Sequence, residues 1–91
     1  MPNTRNVNHG FVLREKLAKL NGMDKNIHQI FGDNIRAIRT GAGLTKVDFS
    51  LQMGISRVEL DLIENGRSNP TLTTLNKLAR NLGKEVWELL V

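Results

Sequence analysis

Residues 44–66, LTKVDFSLQMGISRVELDLIENG, are the stretch that decides the fold of this chain. Two short segments with helical spacing of apolar residues are joined there by Met53-Gly54-Ile55-Ser56. Gly54 can adopt the positive φ of a sharp turn at little cost, and Ile55 can anchor that turn in the core. Ser56 can then cap the second helix. The stretch therefore predicts two helices joined by a sharp turn, with the second helix standing clear of the body of the domain.

Residues with helix-capping properties stand at the start of both segments. Thr45 precedes the first segment, and Asp48 stands three residues after Thr45. Ser56 precedes the second segment, and Glu59 stands three residues after Ser56. This is the pattern of a capping box, in which the third helical side chain bonds back to the cap residue. We therefore expect Asp48 and Glu59 to act mainly as caps.

The segments on either side of this stretch also have the spacing of amphipathic helices. One helix is expected to begin near Asp24 and to end at Gly41-Ala42-Gly43. Its apolar stripe comprises Ile27, Ile30, Phe31, Ile35 and Ile38. Another helix follows Asn69-Pro70-Thr71 and ends at Gly83. Its apolar face comprises Leu72, Leu75, Leu78, Ala79 and Leu82. A last short helix is predicted from about Glu85 to Leu90. Helices this short are marginal in isolation and no segment alternates as a strand does, so we expect a packed all-α bundle.

The first 25 residues have a different character from the rest. Residues 1–9 are polar without a periodic pattern, which predicts a flexible arm. Residues 10–21 predict a short amphipathic helix that ends at Asn21-Gly22. Its apolar positions are Leu13, Leu17 and Leu20. We therefore expect an N-terminal arm with a short helix over 1–25 and a compact domain over 26–91.

Charge is distributed unevenly along the chain, whose formal net charge is +4. Residues 1–30 hold five cations and two anions, whereas residues 31–91 hold eight cations and seven anions. The basic balance permits a polyanionic partner, and the N-terminal cations fit either a solvated face or an arm that follows phosphates. Because the compact part is nearly neutral, bulk charge alone does not identify the partner.

The composition argues against several classes of site. The chain has no cysteine, and its two histidines, His9 and His28, are not part of a ligand cluster, so we expect neither a metal site nor a cofactor. No nucleophile–base pair or phosphate-binding loop is visible, which argues against an enzyme. The sequence has no apolar run of about 18 residues, so we expect no membrane span. The N-terminus lacks the apolar core of a secretory signal, so we expect a cytoplasmic protein.

Three pieces of sequence resemble the XRE or Cro/C1-type helix-turn-helix family of phage-repressor-like transcriptional regulators. They are FGDNIRAIRTGAGLT at residues 31–45, MGISRVELDLIENGRSNPT at 53–71 and LNKLARNLG at 75–83. The resemblance implies a five-helix DNA-binding bundle, here with an extra N-terminal helix or arm. It also implies a repressor-like regulator of transcription that binds a partly palindromic operator in double-stranded DNA as a dimer. The second helix of the central stretch would then enter the major groove.

The resemblance also implies roles for individual residues. Arg57 can donate two hydrogen bonds to guanine O6 and N7, and Val58 can contact a thymine methyl group. Lys46 is expected to touch phosphate or a base, and the loop after the second helix is expected to lie along phosphates. The expected DNA-binding residues are Thr45, Lys46, Ser56, Arg57, Val58, Glu59, Leu62, Asn65, Arg67 and Asn69. Arg39 and Glu64 stand where such domains often have a partly buried structural ion pair.

The C-terminal edge is the expected dimer contact. It consists of Val86, Trp87, Leu90 and Val91. Trp87 is the single tryptophan of the chain and stands where relatives tend to carry a polar residue. Family dimers commonly form through this end, and aromatic residues are enriched at interfaces. We therefore expect a homodimer.

A second hypothesis is a protein-interaction module, antirepressor-like or antitoxin-like, on the same fold with weak DNA binding. Glu59, Asp61 and Glu64 make the second helix acidic, which is unfavourable beside phosphates and suits a protein partner. Under this hypothesis the second helix itself binds the partner, whereas an antitoxin would use residues 1–25 as the candidate segment for binding its protein partner. The fold does not separate a phage-type repressor, a controller protein of a restriction system and an antitoxin.

Overall fold

The computed structural model describes residues 26–91, and this part of the chain is helical without strands. It contains four α-helices, α1 Ile27–Gly41, α2 Lys46–Met53, α3 Arg57–Glu64 and α4 Leu72–Leu82, followed by the 3-10 helix Val86–Leu89. The predicted all-α class is confirmed. The arm and the short helix predicted over residues 1–25 lie outside the described residues. Across residues 26–91, no helix combines the length and apolar character needed to cross a membrane.

Side-chain caps define where the four α-helices begin. Each cap residue accepts a hydrogen bond from the backbone N–H of the third helical residue, which satisfies one of the amides left without a partner in the first turn. The caps are Asn26, Thr45, Ser56 and Thr71. The starts of α2 and α3 therefore lie where the capping pattern of the sequence predicts them, and α4 begins directly after Thr71 as expected.

The start of α1 differs from the prediction that it lies near Asp24. Asn26 Oδ1 accepts from the Gln29 N–H at 3.0 Å, and Gln29 Oε1 accepts from the Asn26 N–H at 3.2 Å. This complete capping box starts the helix at Ile27. The reciprocal bond predicted for α2 and α3 is not formed, because only the backbone amides of Asp48 and Glu59, and not their carboxylates, bond to the caps.

The core lies where the inner faces of the four α-helices and the 3-10 helix meet. Its fully enclosed large side chains are Phe49, Ile35, Leu60, Ile63, Leu78 and Leu89. The predicted stripes of α1 and α4 are each wrong at the first helical residue, since Leu72 is 83% exposed and Ile27 is 51% exposed. Both stand directly after the cap, one turn before the part of the helix that packs on the core. Burial therefore begins at Phe31 in α1 and at Leu75 in α4.

The crossing of α1 and α3 depends on glycine at position 32. A Cβ atom built on Gly32 would lie 2.1 Å from the carbonyl oxygen of Ile63. That oxygen belongs to the backbone of α3 and cannot move aside as the end of a flexible side chain can. The absence of a side chain at Gly32 thus sets how closely α3 packs against the first helix.

The turn between α2 and α3 is held by α4. Gly54 has φ of 72°, in the left-handed region that glycine adopts without strain. Lys77 Nζ donates to the Gly54 carbonyl oxygen at 2.9 Å, and Asn81 Nδ2 donates to the Met53 carbonyl oxygen at 3.2 Å. These bonds satisfy carbonyl groups at the end of α2 and fix the direction in which α3 leaves the turn.

The C-terminal segment is a 3-10 helix of four residues where a short fifth helix was predicted from about Glu85 to Leu90. The Glu85 N–H, which directly precedes the segment, donates to the Glu88 carboxylate at 2.8 Å. Asn34 of α1 donates from Nδ2 to the carbonyl oxygens of Leu89 and Val91. Short segments of three or four residues commonly adopt 3-10 geometry. The hydrogen bonds from Asn34 hold this segment against α1.

Candidate nucleic-acid interface

The residues predicted to bind DNA lie at the start of α2, along α3 and in the loop that follows α3. Most are exposed, namely Thr45, Ser56, Arg57, Val58, Leu62, Asn65, Arg67 and Asn69. Lys46 and Glu59 are half-buried. Two side-chain contacts connect these places, since Lys46 reaches α3 and Glu59 reaches the loop. The structure therefore brings the three groups of residues into one surface, which we call the α3 face.

Two of the predicted contact residues have their side-chain oxygens engaged in capping. Thr45 Oγ1 accepts from the Asp48 N–H at 3.1 Å, and Ser56 Oγ accepts from the Glu59 N–H at 2.9 Å. Each hydroxyl still has its own proton to donate. Capping and a contact to a phosphate oxygen are therefore compatible at both positions.

Asp61 lies between the two cations at the centre of the α3 face. Its Oδ1 is 2.9 Å from Lys46 Nζ and 3.5 Å from Arg57 Nε. The hydrogen bond from Lys46, reinforced by the charges of both cations, holds the pKa of the Asp61 carboxyl below its usual range. Asp61 is therefore a paired carboxylate that joins α2 to the first turn of α3.

Glu59 faces the loop after α3. Its Oε2 accepts a hydrogen bond of 2.8 Å from Ser68 Oγ, and Ser68 is 5% exposed. This contact explains why the Glu59 carboxylate does not bond back to Ser56. Sequence reasoning missed Ser68, although it lies in the Arg-Ser-Asn-Pro-Thr run, because nothing local distinguishes a buried serine from its exposed neighbours.

Glu64 is a fully buried carboxylate at the end of α3. Arg39 Nε donates to Glu64 Oε2 at 2.6 Å and Arg39 Nη2 donates to Oε1 at 3.0 Å, which is the bidentate geometry of a strong pair. The hydrogen bonds to Glu64 raise the pKa of Arg39. Arg36, which the sequence did not single out, donates from Nη2 to the Glu64 carbonyl oxygen at 3.1 Å. The end of α3 is thus tied to α1 by two arginines.

The loop after α3 is shaped by backbone conformation and by one side-chain bond. Asn65 Nδ2 donates to the Asp61 carbonyl oxygen at 2.8 Å, which satisfies a carbonyl in the last turn of α3. Gly66 has φ of 72° and lies against Gln29 of α1. Arg67 and Asn69 are exposed beyond this turn, beside the start of α4.

The four residues expected to form a dimer contact divide into two pairs. Val86 and Leu90 are half-buried and pack against the core of their own chain. Trp87 is 63% exposed and Val91 is 75% exposed. The apolar surface offered by the C-terminal edge therefore comes mainly from Trp87 and Val91.

Residues 35–87 match the family model described as helix-turn-helix. An uncharacterized HTH-type transcriptional regulator, y4dJ of Sinorhizobium fredii, is 36% identical over 63 residues, which cover 69% of this chain and 82% of that protein. A second such regulator, from Methanothermobacter thermautotrophicus, is 35% identical over 51 residues, which cover 56% of this chain and 74% of that protein.

Two solved structures have the same arrangement of helices. The hypothetical transcription factor NHTF from Neisseria superposes with a TM-score of 0.66 at 26% identity, over 72% of this chain and 76% of that one. The restriction-modification controller protein C.AhdI from Aeromonas hydrophila superposes with a TM-score of 0.62 at 32% identity, over 68% of this chain and 94% of that one. Relatives and structural neighbours alike are described as regulators of transcription or controller proteins, and none of these four as an enzyme.

Proposed function

Because the chain belongs to the XRE or Cro/C1-type helix-turn-helix family of DNA-binding transcriptional regulators, we propose that it binds a partly palindromic operator sequence-specifically as a homodimer. The observation that carries this proposal is the placement of α3. One side of α3 is fixed to the core by Leu60 and Ile63, while Arg57 and Val58 stand exposed in its first turn. The N-terminal residues of a recognition helix are the ones that reach base edges.

Base recognition in this account comes from two side chains in the first turn of α3. Arg57 contacts Asp61 through Nε, so its two terminal amino groups remain available for guanine O6 and N7. Val58 is 68% exposed and can contact the methyl group of a thymine. Leu62 lies one turn further along α3, where it extends the apolar surface toward the groove.

Register on the duplex is assigned to the start of α2 and to the loop after α3. Thr45 and Lys46 lie at the N-terminus of α2, where the helix dipole favours a phosphate. Arg67 and Asn69 are exposed in the loop. Contacts to phosphate position the protein without reading sequence, so these residues should contribute affinity on any duplex.

The remaining parts of the chain complete the proposal. Residues 26–91 act as the DNA-binding domain, and the cations of residues 1–25 follow the phosphates outside the operator half-site. Two copies associate through Trp87 and Val91, with Val86 and Leu90 supporting them from within each chain. The dimer presents two α3 helices to half-sites one helical turn apart, about 34 Å.

The protein-interaction hypothesis rested on the acidic character of α3, and the structure changes that argument. Glu64 is buried against Arg39, Asp61 is paired with Lys46 and Arg57, and Glu59 accepts from Ser68. Every carboxylate of α3 therefore has a partner within the domain. Two of the three carboxylates of α3 are paired with cations, so the helix offers a basic protein partner less free negative charge than its sequence suggests.

The proposal is tested by selecting bound sites from random duplex DNA with the wild type, Arg57→Ala and Arg80→Ala. Arg80 is an exposed arginine of α4 outside the set of predicted DNA-binding residues, so its removal is a control with the same change in charge. We expect a two-fold symmetric motif from the wild type. Arg57→Ala should lose the base preference at one symmetric pair of positions and bind about 1–3 kcal/mol more weakly. Arg80→Ala should keep the motif. Failure of the wild type to enrich any motif would contradict the proposal.

A further inference from the structure

We propose that Asp61 is a specificity-determining residue, which orients Arg57 for base recognition and lowers the affinity of the α3 face for DNA of unrelated sequence. This inference rests on the proposed function and deepens it. It starts from the geometry of one carboxylate oxygen, Oδ1, which lies 2.9 Å from Lys46 Nζ and 3.5 Å from Arg57 Nε.

Asp61 restricts the orientation of the Arg57 side chain. An arginine side chain has many rotamers, and ordering it at a binding step lowers affinity. Asp61 is one turn after Arg57 on α3, so its carboxylate meets the Nε edge of the guanidinium. The opposite edge, with both terminal amino groups, is the one that forms two parallel bonds to guanine. The carboxylate thus restricts Arg57 without occupying its base-reading atoms.

Asp61 also changes the charge of the α3 face. Lys46 and Arg57 are the cations of the α3 face that lie at the helix starts, and their side chains are 33% and 51% exposed. Phosphates attract such cations on any duplex, whatever its sequence. The negative charge of Asp61 between them weakens this attraction and offers each cation an alternative partner. When a cation turns to a phosphate or a base, its contact with Asp61 is weakened. Only a duplex that presents the right base to Arg57 compensates for this loss.

The two effects act in the same direction on the ratio of operator affinity to non-specific affinity. Removing the charge of Asp61 should strengthen binding to unrelated DNA, while it loosens Arg57 and reduces discrimination at the base that Arg57 reads. A residue with only a structural role would change stability and leave this ratio unchanged. The ratio is therefore the informative quantity.

The test compares the wild type, Asp61→Asn and Asp48→Asn on the selected operator and on a scrambled duplex over a series of salt concentrations. Asp48 is an exposed carboxylate of α2, and its substitution makes the same change in charge without breaking an ion pair of the described residues. We expect Asp61→Asn to lower the specificity ratio about tenfold, within the range of one bidentate base contact. Asp48→Asn should strengthen binding to both duplexes and keep the ratio within about twofold, as general charge effects do.

Combining Asp61→Asn with Arg57→Ala separates orientation from general charge. In an Arg57→Ala background, the Asp61 substitution should no longer reduce the preference for the base that Arg57 reads. The change in affinity that remains should match that of Asp48→Asn. An operator motif that is equally sharp and equally favoured in Asp61→Asn would overturn the inference while leaving the proposed function in place. A wild type without any preferred motif would overturn both.

Discussion

Glu64 lies fully buried at the end of α3, and two arginines of α1 reach it in different ways. Arg39 binds its carboxylate with two hydrogen bonds and is 13% exposed, whereas Arg36 lies 3.5 Å from it and is 50% exposed. A buried carboxylate that loses its main partner carries a large desolvation cost. The two arginines therefore form a matched pair for testing how burial changes the strength of an ion pair.

We expect Arg39→Met to lower the free energy of unfolding by about 3–5 kcal/mol, because it leaves Glu64 buried with only a peripheral cation. Arg36→Met should cost about 1 kcal/mol or less, as exposed ion pairs do. Urea unfolding of both variants, followed by circular dichroism, measures the difference. Equal losses in the two variants would show that the burial of the Arg39–Glu64 pair does not determine its contribution.

We also predict that the Asp61 carboxyl titrates at a lower pH in the folded protein than in the unfolded chain. Its pKa is lowered in the folded protein, so the ion pairs stabilise the fold above the unfolded pKa, and this contribution is lost as the pH falls through the folded pKa. A carbon-detected NMR titration should place the Asp61 midpoint below that of an unperturbed aspartate, about 3.9. In Lys46→Met the midpoint should move back toward that value. A normal midpoint in the wild type would contradict the pairing.

Individual residues were predictable from sequence only where a local pattern or a family position marked them. Arg39 and Glu64 were selected by position, and the structure brings them together. Arg36 and Ser68 were missed because their partners are 28 and 9 residues away in the chain. Long-range packing decides which polar side chains become buried, and the local spacing of residues does not predict that packing.

Local chemistry determines most of the helix boundaries. Thr45 and Ser56 cap their helices as the sequence indicates, since an N-cap needs only a side chain and the next three residues, and Thr71 caps α4 in the same way. The return half of the capping box was not predictable in α3. Glu59 has a long side chain, and tertiary structure supplied Ser68 as another partner.

The packing of α1 on α3 gives a prediction with a control inside the same helix. Gly32→Ala places a Cβ 2.1 Å from the Ile63 carbonyl oxygen and should destabilise the domain by about 3 kcal/mol, the upper part of the usual range for overpacking. Gly41, the last residue of α1, has no atom within 4 Å of an added Cβ. Gly41→Ala should therefore be neutral or stabilising by up to about 1 kcal/mol.

Thermal or urea unfolding of Gly32→Ala and Gly41→Ala measures this contrast directly. A tolerated alanine at position 32 would mean that α1 and α3 can separate without cost. In that case the position of α3 relative to the core would not be fixed by this contact, and the account of the α3 face would lose its main structural support.

Assembly is decided at the scale of the whole molecule. The C-terminal edge was predicted as one apolar set, yet Val86 and Leu90 pack on their own core while Trp87 and Val91 remain exposed. The period of a short terminal segment does not reveal which of its apolar residues face the bundle. The apolar surface available for the predicted dimer contact is therefore smaller and comes mainly from Trp87 and Val91.

We expect Trp87→Ala to weaken self-association by about 2 kcal/mol or more, which is roughly thirtyfold, if Trp87 is the centre of the dimer contact. Leu51→Ala is the control, since Leu51 is 76% exposed on α2 and is not one of the residues predicted for the dimer contact. Sedimentation equilibrium over a range of concentrations gives both dissociation constants. Unchanged association in Trp87→Ala, or an equal effect of Leu51→Ala, would place the dimer contact elsewhere.

The central claim is that the α3 face, with its two cations and the loop after α3, is the surface that binds operator DNA. Its most direct test is an NMR titration of the labelled protein with the selected duplex and with a scrambled duplex at the same salt concentration. The account predicts that the amide shifts specific to the operator cluster at Thr45–Lys46, Ser56–Val58 and Asn65–Asn69. Operator-specific shifts centred on α4 or on Trp87, with the α3 face unchanged, would contradict it.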